Sequence, residues 1–120
     1  MAFQVDTVFV WVSEVEQAAK WYRRFGIDPG PRFGGWQTMH VDGETRFALH
    51  EGVGAKSGST ATVAFRVADL EHEIARLADL EITPVDPSIT NTGVARFITF
   101  QDPDGNVVQL LERENTTSHA

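Results

Sequence analysis

The sequence predicts an α+β fold built from two βαβββ modules in tandem, whose sheets form a concave half-barrel groove. Three observations predict it. Each half of the chain passes from a β-branched run to an amphipathic stretch and back to strands joined by Asp-Gly turns. The halves superpose without a gap, since Val12 and Val67, Glu16 and Glu71, Ile27 and Ile82, and Pro29 and Pro84 all stand 55 residues apart, and a fixed internal period marks a repeated structural unit. The length, 120 residues, suits one domain made of two small units rather than two separate domains. The expected organisation is a single domain over 1–120 with repeats at about 3–52 and 60–113 and a linker at 52–59.

Phe3 to Val12 reads as the first strand, buried on both faces, with Val8, Val10 and Val12 on one face and Thr7, Phe9 and Trp11 on the other. Ser13 followed by Glu16 matches a capping box, and Val15, Ala18, Ala19, Tyr22 and Phe25 then recur at helical spacing until Gly26. Beyond the Pro29-Gly30-Pro31 segment and a Gly34-Gly35 hinge, Trp36 to Val41 and Glu44 to His50 form two strands around Asp42-Gly43. Gly and Ser dominate the linker. Thr60 to Val67 then reads as a strand and Asp69 to Leu80 as a helix carrying Leu70, Ile74 and Leu77. Ala95 to Gln101 and Asn106 to Glu112 close the second module around Asp102-Pro103-Asp104-Gly105, and each module leaves room for one further strand in its loops. The tail from Asn115 to Ala120 is short and polar.

Composition narrows the function. Hydrophobic residues make up 42% and charged ones 22%, a balance that folds. Ten basic against 17 acidic residues leave a net charge of -7, which opposes nucleic acid and anionic membrane surfaces as partners and mildly favours a cationic or neutral ligand. With no cysteine, disulfides, thiolate zinc sites and thiol nucleophiles are removed. The start of the chain lacks a basic segment, Asp6 interrupts its apolar stretch, and no apolar run reaches the roughly 18 residues of a membrane span. A cytoplasmic protein without a leader is expected.

The run Val8 to Glu16, leading to Trp21-Tyr22 and Phe25-Gly26-Ile27, together with Val63 to Leu70 and Phe100-Gln101-Asp102-Pro103-Asp104-Gly105-Asn106 leading to Gln109-Leu110, resembles the vicinal oxygen chelate superfamily. This superfamily includes glyoxalases, bleomycin-resistance proteins and extradiol dioxygenases, and the resemblance covers about Phe3 to Arg113. It implies a homodimer, and in metal-using members inward His and Glu ligands on the first and last strands of each module. Carried onto this chain, those positions are Thr7, Ala48, Thr62 and Gln109, a donor set without a charge or an imidazole. No metal and no cofactor are therefore expected, and the resemblance points to the metal-less branch related to bleomycin-resistance proteins.

The ligand-binding candidates are Thr7, Phe9, Trp11, Trp36, Met39, Arg46, Ala48, His50, Thr62, Arg66 and Gln109. Phe9 and Trp11 offer a stacking surface for a flat organic ligand or simply fill a core or subunit interface. A two-residue turn at Asp42-Gly43 pairs Gln37 with Ala48 and Met39 with Arg46, which places Gln37, Met39, Arg46 and His50 on the groove side and Trp36, Thr38 and His40 under the helix. A longer, bulged loop reverses the strand before it, so Trp36 and His40 stay open between groove and core. Gln109 either presents its amide to a ligand or bonds Thr7 or Thr62. Arg46 and Arg66 meet a ligand carboxylate or balance surface acids. The expected function is metal-independent binding of an aromatic or heterocyclic drug-like molecule. The alternatives are a metal-free isomerase or lyase using His50 or Glu51 for proton transfer, and, behind it, a metal-dependent glyoxalase or dioxygenase.

Overall fold

The computed structural model describes residues 6–52, 62–93 and 95–113. The expected strand starts at Phe3 and Thr60, the linker beyond Gly52 and the polar tail lie outside them. Two compact units are present, one taking the chain up to residue 61 together with Asp102–Asn106, the other Thr62–Gln101 together with the chain from Val107 onward.

In the first unit the elements are β1 (Thr7–Val12), α1 (Val15–Phe25), β2 (Pro29–Phe33), β3 (Trp36–Met39) and β4 (Arg46–Glu51), in a sheet of order β1-β4-β3-β2. The second repeats this as β5 (Thr62–Arg66), α2 (Leu70–Asp79), β6 (Thr90–Asn91), β7 (Ala95–Gln101) and β8 (Val107–Arg113), ordered β5-β8-β7-β6. Both sheets are mixed and open, as the predicted α+β class with βαβββ modules requires. The strands that the sequence left in its loops are β2 and β6, each at a sheet edge, where the prolines of β2 can be accommodated. Among the described residues no helix is long and apolar enough to cross a membrane.

The repeat extends to single hydrogen bonds. The Ile27 N–H donates to the Tyr22 carbonyl at 2.8 Å and, 55 residues on, the Ile82 N–H donates to the Leu77 carbonyl at 2.9 Å. Both helices thus end through one left-handed residue, Gly26 (φ 129) in α1 and Glu81 (φ 62) in α2. Both begin on a carboxylate from the module's last strand. Glu51 accepts from the Val15 N–H at 2.9 Å and Glu112 from the Leu70 N–H at 3.0 Å, satisfying a donor that a helix start leaves unpaired. The predicted capping box is therefore corrected: Glu14 is the N-cap of α1 and makes no side-chain cap bond, while the Ser13 hydroxyl donates 2.6 Å to Asp104.

One face of each helix builds the core. Val15, Ala18, Ala19, Tyr22 and Phe25 of α1 are buried as their spacing predicts, against the sheet face carrying Val10, Val12, Phe47 and Leu49. The Tyr22 ring lies 5.7 Å from that of Phe47. In α2, Leu70 and Leu77 are buried while Ile74 is only partly so. The first strand is not buried on both faces, because Phe9 is 38% exposed.

The β3–β4 register also differs from the two-residue turn. Trp36 pairs with His50, Gln37 with Leu49, Thr38 with Ala48 and Met39 with Phe47. The connection spans residues 40–45, its ends held by the His40 N–H on the Asp28 carbonyl and the Arg46 N–H on the Asp6 carbonyl, both 2.8 Å. This one-place shift sets Met39, 6% exposed, beside Phe47 and Leu49 on the helix side, where its apolar surface is removed from water. Gln37 follows it inward, and its amide is satisfied by the carbonyls of Gly30 at 2.7 Å and Thr38 at 3.0 Å.

The Asp-Pro-Asp-Gly-Asn turn does more than reverse the chain. Asp102, 5% exposed, accepts from the Tyr22 hydroxyl at 2.7 Å, the Asn106 amide at 2.8 Å, and the backbone N–H groups of Asp104 and Asn106 at 2.9 and 2.8 Å. Asn106 also donates to the Trp11 carbonyl at 2.9 Å. Burial and the facing carboxylate push the Tyr22 phenol far above its ordinary value, so it remains a donor. Removing the acceptor strands several buried donors. Asp102→Ala is expected to cost about 3 kcal/mol or more and Tyr22→Phe about 1 to 2 kcal/mol in urea denaturation; equal, small losses would mean that the network is not stabilising.

Candidate functional site

The face of the first sheet turned away from α1 is ordered in rows, because β1, β4 and β3 are in register. Trp11, His50 and Trp36 stand opposite one another in the first row, Phe9, Ala48 and Thr38 in the second, and Thr7 and Arg46 in the third. The face therefore grades from aromatic at one end to polar and cationic at the other.

At the aromatic end the rings touch. His50 stacks on Trp11 with centroids 4.4 Å apart and planes 21° apart. Trp36 approaches His50 at 5.3 Å, edge on, and Phe9 lies 5.3 to 5.6 Å from Trp36, Trp11 and His50. The close packing of Trp11 depends on Gly52, where a Cβ would meet the indole at 2.8 Å. His50 Nδ1 is buried with no hydrogen-bond partner among the described residues, so the cluster holds one unsatisfied polar atom.

In the middle row the side chains of Ala48 and Thr38 are small, and the surface dips. A cavity of about 390 Å³ opens there, lined among others by Trp36, Ala48, Thr38, Thr7, His40 and Arg46. Its size is that of a small-molecule site. Of the two turns left open by the sequence, the longer one is present: the two-residue turn that would set Trp36, Thr38 and His40 under the helix is replaced by the 40–45 connection, which turns all three toward this face. Met39 goes the other way, onto the helix side, though it still borders the cavity.

Glu51 is next to His50 in sequence but on the opposite sheet face, where it caps α1. It does not join His50 as a second acid or base. Thr62, Arg66 and Gln109 belong to the second unit, where Thr62 and Arg66 are exposed and Gln109 is half-buried. The Gln109 amide donates to the Thr99 hydroxyl at 3.4 Å, not to Thr62, because β7 places Thr99 directly opposite it.

Comparison with known proteins identifies the architecture. The sequence model of the Glyoxalase/Bleomycin resistance protein/Dioxygenase superfamily matches residues 4–110. The chain belongs to this superfamily. No curated protein sequence matches it. Among solved structures, TnmS3, an antibiotic binding protein from Streptomyces sp. CB03234, is 28% identical, with a TM-score of 0.78 over 94% of this chain and 98% of its own. A lactoylglutathione lyase from Agrobacterium tumefaciens is 16% identical, with a TM-score of 0.75 over 91% and 92%. A glyoxalase/bleomycin resistance protein/dioxygenase from Nocardioides is 15% identical, with a TM-score of 0.74 over 96% and 86%. The last two share the fold.

A superfamily metal does not fit the residues at the expected ligand positions. Thr7 and Ala48 lie on the open face of the first sheet, and the Thr7 hydroxyl is engaged with the Asp6 carboxylate at 2.6 Å. Thr62 and Gln109 stand on neighbouring strands of the second sheet. An alanine, two hydroxyls and an amide supply no anionic or imidazole donor.

A group of carboxylates does occur elsewhere, in Asp69, Glu71 and Glu112, but each of the three is already engaged within the fold. Arg96 holds Glu71 by two bonds of 2.6 and 2.8 Å and Glu112 by bonds of 2.6 and 3.2 Å; Glu112 caps α2, and Asp69 accepts from the His72 N–H. The Arg96 guanidinium, aided by backbone N–H groups, holds Glu71 at about 2 and Glu112 below its ordinary value. Carboxylates that ionise more readily in the folded than in the unfolded chain stabilise the fold above the ordinary value of 4.5 and cease to do so as pH falls toward 2. The stability gap between the wild type and Arg96→Gln is expected to be constant above about pH 5 and to close between there and pH 2 in acid denaturation. A gap that persists at the acid end would remove this ion network as its cause.

Proposed function

We propose that the chain is a metal-independent binding protein for an aromatic or heterocyclic small molecule, sequestering it without breaking a bond. The observation that carries this reading is the cavity beside the ring cluster: a flat ligand seated on Ala48 and Thr38 has Trp36 as a wall and Phe9, Trp11 and His50 next to it. Aromatic faces give large contact area at low entropic cost. The antibiotic binding described for TnmS3, at 28% identity, supports the ligand class, and the donor set at the family's metal positions supports metal independence. Thr62, Arg66 and Gln109 are proposed as ligand-binding residues of the second repeat, and the two repeats as a single domain. So are assembly as a homodimer, read by sedimentation, and a cytoplasmic location.

A second reading, a metal-free enzyme, is favoured by one observation, the unpartnered Nδ1 of His50. Of the proposed acid or base groups only His50 faces the cluster, so proton transfer through this face would rest on it.

Both readings meet in one experiment. Titration with a panel of planar aromatic antibiotics is expected to give saturable quenching of tryptophan fluorescence, with the recovered compound unchanged in mass. Trp36→Ala is expected to weaken binding about tenfold, the scale of one well-placed aromatic contact and its buried area. Chemical conversion of the ligand that disappears in His50→Ala would establish the enzyme instead, and the absence of saturable binding across the panel would overturn the binding reading.

A further inference from the structure

We infer that the cavity selects an anionic aromatic ligand, a flat ring carrying a carboxylate or comparable oxyanion, with Arg46 as the group that recognises the charge. This deepens the binding reading above and rests on it.

The inference comes from the charge pattern of the cavity wall. In a chain with 17 acidic and ten basic residues, no Asp or Glu among the described residues lines the cavity, while Arg46 and His40 do. The acids nearest in sequence are otherwise placed: Asp42 and Glu44 are exposed on the connecting loop outside the lining, and Asp6 accepts the Thr7 hydroxyl. Arg46 is exposed and its guanidinium has no ion-pair or hydrogen-bond partner among the described residues. The contrast is Arg96, which two glutamates hold. A guanidinium left without a carboxylate presents a planar set of donors that matches one.

The spacing supplies the second part. Arg46 and Trp36 stand at opposite ends of the row order, with Ala48 and Thr38 between them. A ring resting against Trp36 can therefore extend its substituent over Ala48 to the cationic end. His40, the first residue of the connection after β3, also lines the cavity and adds a second nitrogen donor or acceptor there, and Gly30 leaves it room, since a Cβ at Gly30 would lie 3.3 Å from His40 Nε2 and 3.0 Å from Thr38 Oγ1.

The net charge of -7 does not reverse this preference. At physiological salt, exposed charges farther away than about 8 Å are largely screened. What a bound anion meets is the local guanidinium, and a charge-assisted bond in a partly enclosed cavity is stronger than a neutral one.

The test uses three probes of one ring system, naphthoate, naphthamide and naphthylmethylamine, titrated against the whole protein by tryptophan quenching and calorimetry. Naphthoate is expected to bind about tenfold more tightly than its neutral amide and the cationic amine most weakly, a preference that shrinks as salt is raised. Arg46→Gln is expected to abolish the roughly tenfold preference, so that the variant binds naphthoate and naphthamide with equal affinity, and Arg46→Lys to recover part of the difference. Equal binding of naphthoate and naphthamide by the wild type, or a preference that survives Arg46→Gln, overturns the charge selection and leaves aromatic binding standing. No saturable binding of any of the three overturns the binding reading and this inference with it.

Discussion

Parallel pairing of the first and last strands of a module is the constraint on which the rest of each unit depends. It sets Val12 opposite Glu51, and from there the Glu51 carboxylate reaches the first N–H of α1, so the strand pair also fixes where the helix starts. The same device recurs with Glu112 and Leu70. Because strand side chains alternate, the pairing simultaneously commits Val10, Val12, Phe47 and Leu49 to the helix and leaves Phe9, Trp11, Ala48 and His50 on the other face. A slip of one place would invert both sets and expose the core.

The open face of the first sheet then follows from what alternation leaves over. Rings at one end, small side chains in the middle and a guanidinium at the other make a graded surface, and each feature traces to a row of residues held in register across neighbouring strands. The aromatic cluster is tight enough to bury a histidine nitrogen without a partner among the described residues, which leaves a polar atom whose hydrogen bond is unmet.

Superfamily membership and chemistry part company at a few positions. The fold supplies the same places on the first and last strands of each module, yet Thr7, Ala48, Thr62 and Gln109 bring no metal-ligand chemistry to them. Topology is carried by buried apolar alternation and by caps such as Glu51, which lie on the helix side of the strands. Architecture and activity are written in different residues of the same strands.

Local order was legible from the sequence by itself. The 3.6-residue spacing of Val15 to Phe25 gave α1, the alternation of Val8 to Val12 gave the helix-facing side of β1, and the constant offset between halves announced a repeat that reappears as paired hydrogen bonds at Ile27 and Ile82. These are properties of neighbours along the chain, decided by periodicity and turn chemistry. What tertiary structure alone decided were matters of partner choice over long separations. The side chain that accepts from the first N–H of α1 is that of Glu51 rather than Ser13, because a parallel partner strand delivers a carboxylate that local spacing cannot reveal. The β3 strand turned so that Met39 could be buried beside Phe47 and Leu49, which brought Trp36, Thr38 and His40 to the cavity instead of the core. The Asp102 turn became a buried network only when Tyr22, eighty residues away, came within hydrogen-bonding reach, since burial of a carboxylate requires donors that the folded chain alone assembles.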